Sequence, residues 1–200
     1  MNRDLLIYPI HGAFWTAFGI AGWLMTRRES RPPAVADAAP VAQTKATAPY
    51  SRSVLAIHFV AFGLMYFGLG STIIPDRVVS WFPGQRLVGT SVIAVGAALM
   101  AWARIWFHSW RFRAELDAGH QLATGGPFRL LRHPIYMGLN LLALGSAVWD
   151  PTPITWLAVA IMVLGSDLRG RAEERLLTQT FGDTYTAYTQ RTARFLPGIY

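Results

Sequence analysis

The sequence predicts an all-α, polytopic membrane protein, and three observations predict it. Of 200 residues, 52% are hydrophobic and 14% charged, with a mean hydropathy of +0.29, where a soluble domain carries about 25% charged residues. The apolar residues are gathered into runs that suit helices crossing a bilayer core, at about 20 residues each. The basic residues fall between those runs, mostly on one side of them. The length leaves room for about five transmembrane helices, a short C-terminal helical hairpin among them, followed by an amphipathic cytoplasmic helix, and none for a separate soluble catalytic domain.

The first run, "LLIYPIHGAFWTAFGIAGWLM" from Leu5 to Met25, is long enough to span and too long and aromatic for a simple cleaved signal peptide. The Ala/Pro-rich stretch after it has no apolar periodicity and is expected to be a flexible loop, so residues 1–53 form a first unit. A second span runs from about Val54 to Ile74 and a third from Leu87 to Phe107, just after Trp81 and Phe82, whose aromatic rings suit a membrane interface. Residues 54–108 form the second unit. After Pro134 come "IYMGLNLLALGSAVW" and "ITWLAVAIMVLGSDL", separated by "DPTP". Each is short for a span, and the two prolines of the turn impose a tight hairpin. From Arg169 onward the chain is amphipathic and charged, and reads as a helix that leaves the membrane and lies along its surface.

The net charge of +7 follows from topology. On a five-span reading, fifteen of the 18 basic residues share one side, in the segments containing Arg27, Arg132 and Arg169; only Arg3, Arg77 and Arg86 fall on the other. This places the N-terminus outside and the C-terminus in the cytoplasm, in a bacterial inner membrane, and leaves no charge that calls for nucleic acid. The absence of cysteine excludes disulfides, thiolate metal sites and a cysteine nucleophile. His11, His58 and His108 lie on different spans without ligand spacing and are expected to pack between helices or sit at the interface. No metal site is expected.

Topology leaves "GGPFRLLRHPIYMG", Gly125 to Gly138, unexplained. Pro134 suits the first turn of a helix and pushes His133 out of helical geometry, so His133 should cap the helix entrance. Its side chain and the N–H groups of Ile135, Tyr136 and Met137 can converge on one point, where the helix dipole favours an anion and Arg132 adds a full charge. Gly125 and Gly126 let the backbone turn before Pro127, and Gly138 allows close approach on one helix face. This is the pattern of a site for a small molecule with an anionic end; the competing reading is an interfacial loop in which histidine and tyrosine anchor to headgroups. Downstream, Arg169 lies four residues before Glu173, so the two share a helix face, flanked by Arg171 and Arg175, with Glu174 facing elsewhere. A charged pair here should face protein or a cavity rather than lipid; the competing reading is a solvated salt bridge.

The stretches "GGPFRLLRHPIYMG" and "AEERLLTQTFGDTYTAYTQRTARFLP", with the short hydrophobic hairpin between them, resemble the isoprenylcysteine carboxyl methyltransferase family and its membrane relatives, the phospholipid N-methyltransferases. The resemblance covers about Arg104 to Pro197, and makes residues 109–200 a methyltransferase-like, cofactor-binding region. It implies methyl transfer from S-adenosyl-L-methionine to a lipophilic acceptor, a carboxylate, thiol or amine, in a pocket facing the cytoplasm. It further implies cofactor contacts by His133, Tyr136 and the backbone around Gly126 and Pro127, with Arg169 and Glu173 near cofactor and acceptor and Glu174 the adjacent acid. With the anion-site reading, the cofactor-binding set is Gly126, Pro127, Arg132, His133, Tyr136, Gly138 and Glu174, and the catalytic set Arg169 and Glu173; Tyr185 or Tyr188 would line the adenine side. The related sterol reductases typically carry "RHPNYxGE", whereas here Ile135 replaces the asparagine and Leu139 the acid, which weighs against an NADPH-dependent reductase. A non-catalytic membrane partner of the same fold is the remaining alternative.

Overall fold

The structure, a computed structural model of the chain, describes residues 3–28, 46–47, 51–71, 80–106, 115–116 and 122–198. Among the described residues, the regular structure is helical apart from one two-residue antiparallel pairing and one isolated bridge. Helices α1 (Ile7–Arg28), α2 (Ser51–Ser71) and α3 (Gln85–Trp106) follow the first three apolar runs. The expected hairpin is α4 (Pro134–Trp149) and α5 (Pro153–Phe181), and a short α6 (Asp183–Gln190) follows. Among the described residues, Ser53–Ser71 and Gln85–Trp106 are long and apolar enough to cross a membrane, while α4 is a shorter apolar helix of 16 residues.

One expectation lies largely beyond the described residues and another is corrected. The stretch read as a flexible loop falls largely outside the described residues, but within it β1 (Ala46–Thr47) pairs antiparallel with β2 (Glu115–Leu116), Ala46 opposite Leu116. The chain from Arg169 does not begin a separate surface helix. α5 runs on unbroken for 29 residues, about 44 Å at 1.5 Å per residue, so its charged half is a rigid extension of its apolar half. The turn away comes only at Gly182, whose φ of +53° favours glycine.

Helix α3 lies between α1 and α4; α5 packs on α4 and, on another side, on α2. The α3–α4 contact is built on glycines at heptad spacing. A Cβ at Gly89 would come within 2.7 Å of the Gly145 carbonyl oxygen, and one at Gly96 within 2.9 Å of the Gly138 carbonyl oxygen. Small residues thus let the two backbones touch, the usual means of helix association where water supplies no driving force. Ile93, Met100 and Leu142 fill the spaces between them and are fully buried. At the hairpin turn, Thr152 and Thr155 form a reciprocal capping box at the start of α5. Trp81, before α3, stacks on Trp156 with ring centroids 6.0 Å apart. A second, smaller core of Leu122, Leu176, Phe181, Tyr185 and Tyr188 fastens α6 against the charged half of α5.

Candidate active site

The backbone of the "RHP" segment is held from outside its own helix. Leu131 and Ala193 form a parallel bridge; the Arg132 N–H donates to the Ala193 carbonyl (2.7 Å), the His133 N–H to the Arg194 carbonyl (3.3 Å), and the Ala193 N–H to the Leu130 carbonyl (3.1 Å). The chain after α6 therefore straps the entrance of α4. Pro134 begins α4 as expected, but His133, at φ −127° and ψ 60°, makes no side-chain cap. Its carbonyl accepts the Met137 N–H at 3.0 Å, which narrows the expected anion site to the N–H groups of Ile135 and Tyr136.

The His133 ring turns instead to α5. Its Nδ1 lies 3.6 Å from Glu173 Oε2 and its Nε2 3.2 Å from Glu174 Oε1. Gly170 makes this possible, because a Cβ there would sit 3.3 Å from the imidazole. Contrary to the expectation that Glu174 faces elsewhere, one histidine bridges both acids: consecutive residues differ by about 100° around a helix, and the ring lies between the two directions. Tyr136 stacks on His133 (centroids 5.5 Å apart, 12° between planes), with Phe195 5.9 Å away on a tilt.

The two acids have different company. Glu173 accepts a short hydrogen bond from the Tyr136 hydroxyl and one from Arg169 Nε at 3.3 Å, and the Arg169 guanidinium also lies over the Tyr136 ring at 5.1 Å. Arg169 is buried, so the pair faces protein and is not a solvated salt bridge. Glu174 binds Arg132 Nε at 2.8 Å and Arg194 Nη2 at 2.6 Å. Arg132 also donates to the Thr189 carbonyl at 3.2 Å and, more closely, to that of Thr192. Arg194 reaches on to Asp167 at 3.2 Å, which in turn takes Arg171 at 2.7 Å.

Burial disfavours charge on all three central groups, yet the partners outweigh it. Hydrogen bonds and attraction from Glu173 and Glu174 raise the His133 imidazole above its ordinary 6.5. His133, Arg169 and Tyr136 hold Glu173 below the usual carboxylate range, and His133, Arg194 and Arg132 hold Glu174 far below it. An ionised carboxylate only accepts, so His133 Nε2 donates to Glu174 Oε1, while Nδ1 faces Glu173 Oε2 at 3.6 Å and the ring sits between two carboxylates.

The remaining expected residues are placed elsewhere. Gly138 belongs to the α3–α4 interface: a Cβ there would run into Met100 and lie 2.9 Å from the Gly96 carbonyl oxygen. Gly126, at φ +55°, opens a 3₁₀ turn (Gly126–Arg129) with Pro127 buried inside it. The indole of Trp106 lies on the Gly125–Gly126 backbone, within 2.7 Å of where a Gly125 Cβ would be. Of the two tyrosines of α6, Tyr188 donates to the Phe128 carbonyl at 2.7 Å. The Tyr185 hydroxyl is buried with no hydrogen-bond partner among the described residues. Sequence reasoning missed the parts played by Arg194, Asp167, Gly170 and Phe195, because Arg194 meets Glu174 and Asp167, and Gly170 and Phe195 meet His133, only across segments far apart in the chain.

The comparisons with known proteins bear on the same segment. The family model described as phospholipid methyltransferase matches residues 85–184, half of the chain. Protein-S-isoprenylcysteine O-methyltransferase B of Arabidopsis thaliana is 32% identical over 117 residues, covering 58% of this chain and 55% of that protein. A probable protein-S-isoprenylcysteine O-methyltransferase of Oryza sativa subsp. indica is 28% identical over 146 residues, 70% of this chain and 74% of the relative. The chain thus spans little more than half the length of the first of these relatives. The match runs through α3, the α4–α5 hairpin and the start of α6, the elements that carry His133, Glu173 and Glu174, and the chain belongs to the phospholipid methyltransferase family, in its isoprenylcysteine-methyltransferase-like form.

Proposed function

We propose that the protein is an integral membrane methyltransferase that uses S-adenosyl-L-methionine and acts on a lipophilic acceptor. The observation that carries this reading is His133 bridging Glu173 and Glu174, which joins the two family motifs into one polar cluster at the end of an apolar hairpin. Support for the cofactor comes from the surroundings of the cluster: the rings of Tyr136 and Phe195 beside His133 suit a sulfonium, the N–H groups at the start of α4 suit a carboxylate, and the Tyr185 hydroxyl, buried with no hydrogen-bond partner among the described residues, suits a polar group. When bound, the cofactor supplies an electrophilic methyl group on a sulfonium.

Arg169 and Glu173 are the catalytic candidates. Arg169 is tied to Glu173 and Tyr136 and aims a carboxylate acceptor as a fixed cation; Glu173, kept ionised by its partners, is the acceptor for a proton where the nucleophile is an amine. Holding the partners in line contributes on the order of 7–11 kcal/mol to such a displacement, which is why the cluster is braced from three directions. The named activity of the plant relatives favours a lipid-modified cysteine carboxylate as the acceptor class. The five-span topology, with the cluster on the cytoplasmic face, belongs to the same proposal.

Calorimetry of the full chain in mild detergent, with S-adenosylhomocysteine and NADPH in parallel, tests it. Heat with the first alone supports the methyltransferase. Heat with NADPH alone reverses the reading in favour of a reductase, and heat with neither in favour of a non-catalytic partner.

A further inference from the structure

A single face of α5 changes character along its length. Leu157, Leu164 and Leu168 are 50%, 54% and 39% exposed, and at the next helical steps on that face come Arg171 and Arg175, both exposed. There an open groove of about 510 Å³ is lined by Arg171, Arg175, Arg194, Glu174, Thr178 and Gln179. Its one carboxylate, Glu174, is bound by Arg132 and Arg194, and Asp167 behind it takes Arg171 and Arg194, so four arginines counting Arg175 meet two acids and the groove keeps an excess of positive charge. Apolar side chains running into a cluster of arginines match a molecule with an acyl chain and an anionic head. The groove is not the acceptor site: Arg171 lies two residues from Glu173, about 160° away around the helix, and Glu173 faces Tyr136.

We propose that this face of α5 binds one anionic glycerophospholipid, its phosphodiester among Arg171, Arg175 and Arg194 and an acyl chain along Leu164 and Leu168. Bidentate donation to phosphate oxygens is what guanidinium groups do best. Arg194 is shared with Glu174, so the lipid also braces the strap that holds the "RHP" segment. The proposal rests on reading α5 as a membrane helix, but not on the identity of the cofactor.

The test is native mass spectrometry of the full chain in detergent with equal amounts of phosphatidylglycerol and phosphatidylcholine of the same acyl chains. One phosphatidylglycerol is expected to stay bound. In the double variant Arg171→Gln, Arg175→Gln its retention should fall about tenfold or more, with the melting temperature and S-adenosylhomocysteine binding kept. Leu168→Gln, which leaves every arginine in place, should lower retention severalfold and guards against a double variant that fails to fold. Equal retention of phosphatidylcholine, or retention unchanged in both variants, overturns the proposal in favour of an unspecific apolar surface. Inorganic phosphate that displaces the lipid and alone stabilises the chain equally overturns it in favour of a small-anion site. A native chain that retains no phosphatidylglycerol yet binds S-adenosylhomocysteine overturns this proposal only; one that retains the lipid but does not bind S-adenosylhomocysteine overturns only the cofactor assignment.

Discussion

His133 meets Glu173 and Glu174 through different ring nitrogens, so removing either acid strands a different set of cations. Glu174→Gln leaves Arg132, Arg194 and His133 short of their common partner and is expected to destabilise by about 1–3 kcal/mol, read as a drop in melting temperature. Glu173→Gln keeps the strap intact. It should retain S-adenosylhomocysteine binding while losing at least about tenfold in turnover, roughly 1.4 kcal/mol of transition-state stabilisation, measured once an acceptor has been found with methyl-labelled cofactor. Unchanged turnover in both Glu173→Gln and Arg169→Ala would remove that pair from the reaction. The pH dependence follows from the same contacts. The raised His133 contributes stability that is fully present below 6.5 and lost as pH rises through its folded value. The lowered glutamates contribute stability that is present above 4.5 and lost as pH falls through theirs. The cluster is therefore most stabilising between 4.5 and 6.5, and His133→Asn should flatten the decline in melting temperature on the alkaline side. An identical decline in the variant would assign the effect to another group.

The α3–α4 pair depends on the absence of side chains at matched positions. Gly145→Val would place atoms against the Gly89 carbonyl oxygen and Ile93 and is expected to cost about 1–3 kcal/mol through overpacking. Gly12→Ala on α1, where a Cβ meets nothing within 4 Å, serves as the control in the same thermal melt, and equal losses would deny the interface its special status. These elements show what the sequence could disclose. Apolar runs and prolines located α1 to α5 because burial and backbone restriction are local in sequence. The β1–β2 pairing and the strap from Ala193 to Leu130 could not be read, since two-residue pairings between distant segments have no period of their own. Likewise the Arg169–Glu173 pair was legible from its helical spacing. The join of His133 to both acids depends on Gly170 and on how α4 crosses α5, and no single-chain pattern records a crossing.

At the scale of the molecule, the polar cluster gathers at one end of the bundle, and Trp81, Trp156 and the hairpin turn lie at the other. A single cysteine at Ser80 should react with an impermeant thiol reagent in intact cells and one at Thr186 only after lysis; the native chain has no cysteine to confuse the readout. Reaction at position 186 without lysis would invert the proposed orientation. The strap has a consequence in time. Arg132 finds its carbonyl partner at Thr192, 60 residues later, while α4 and α5 can pair as soon as both have emerged. During synthesis, a nascent chain stopped short of Thr192 therefore holds Arg132 and Glu174 without the Thr192 carbonyl and the Arg194 guanidinium that brace them.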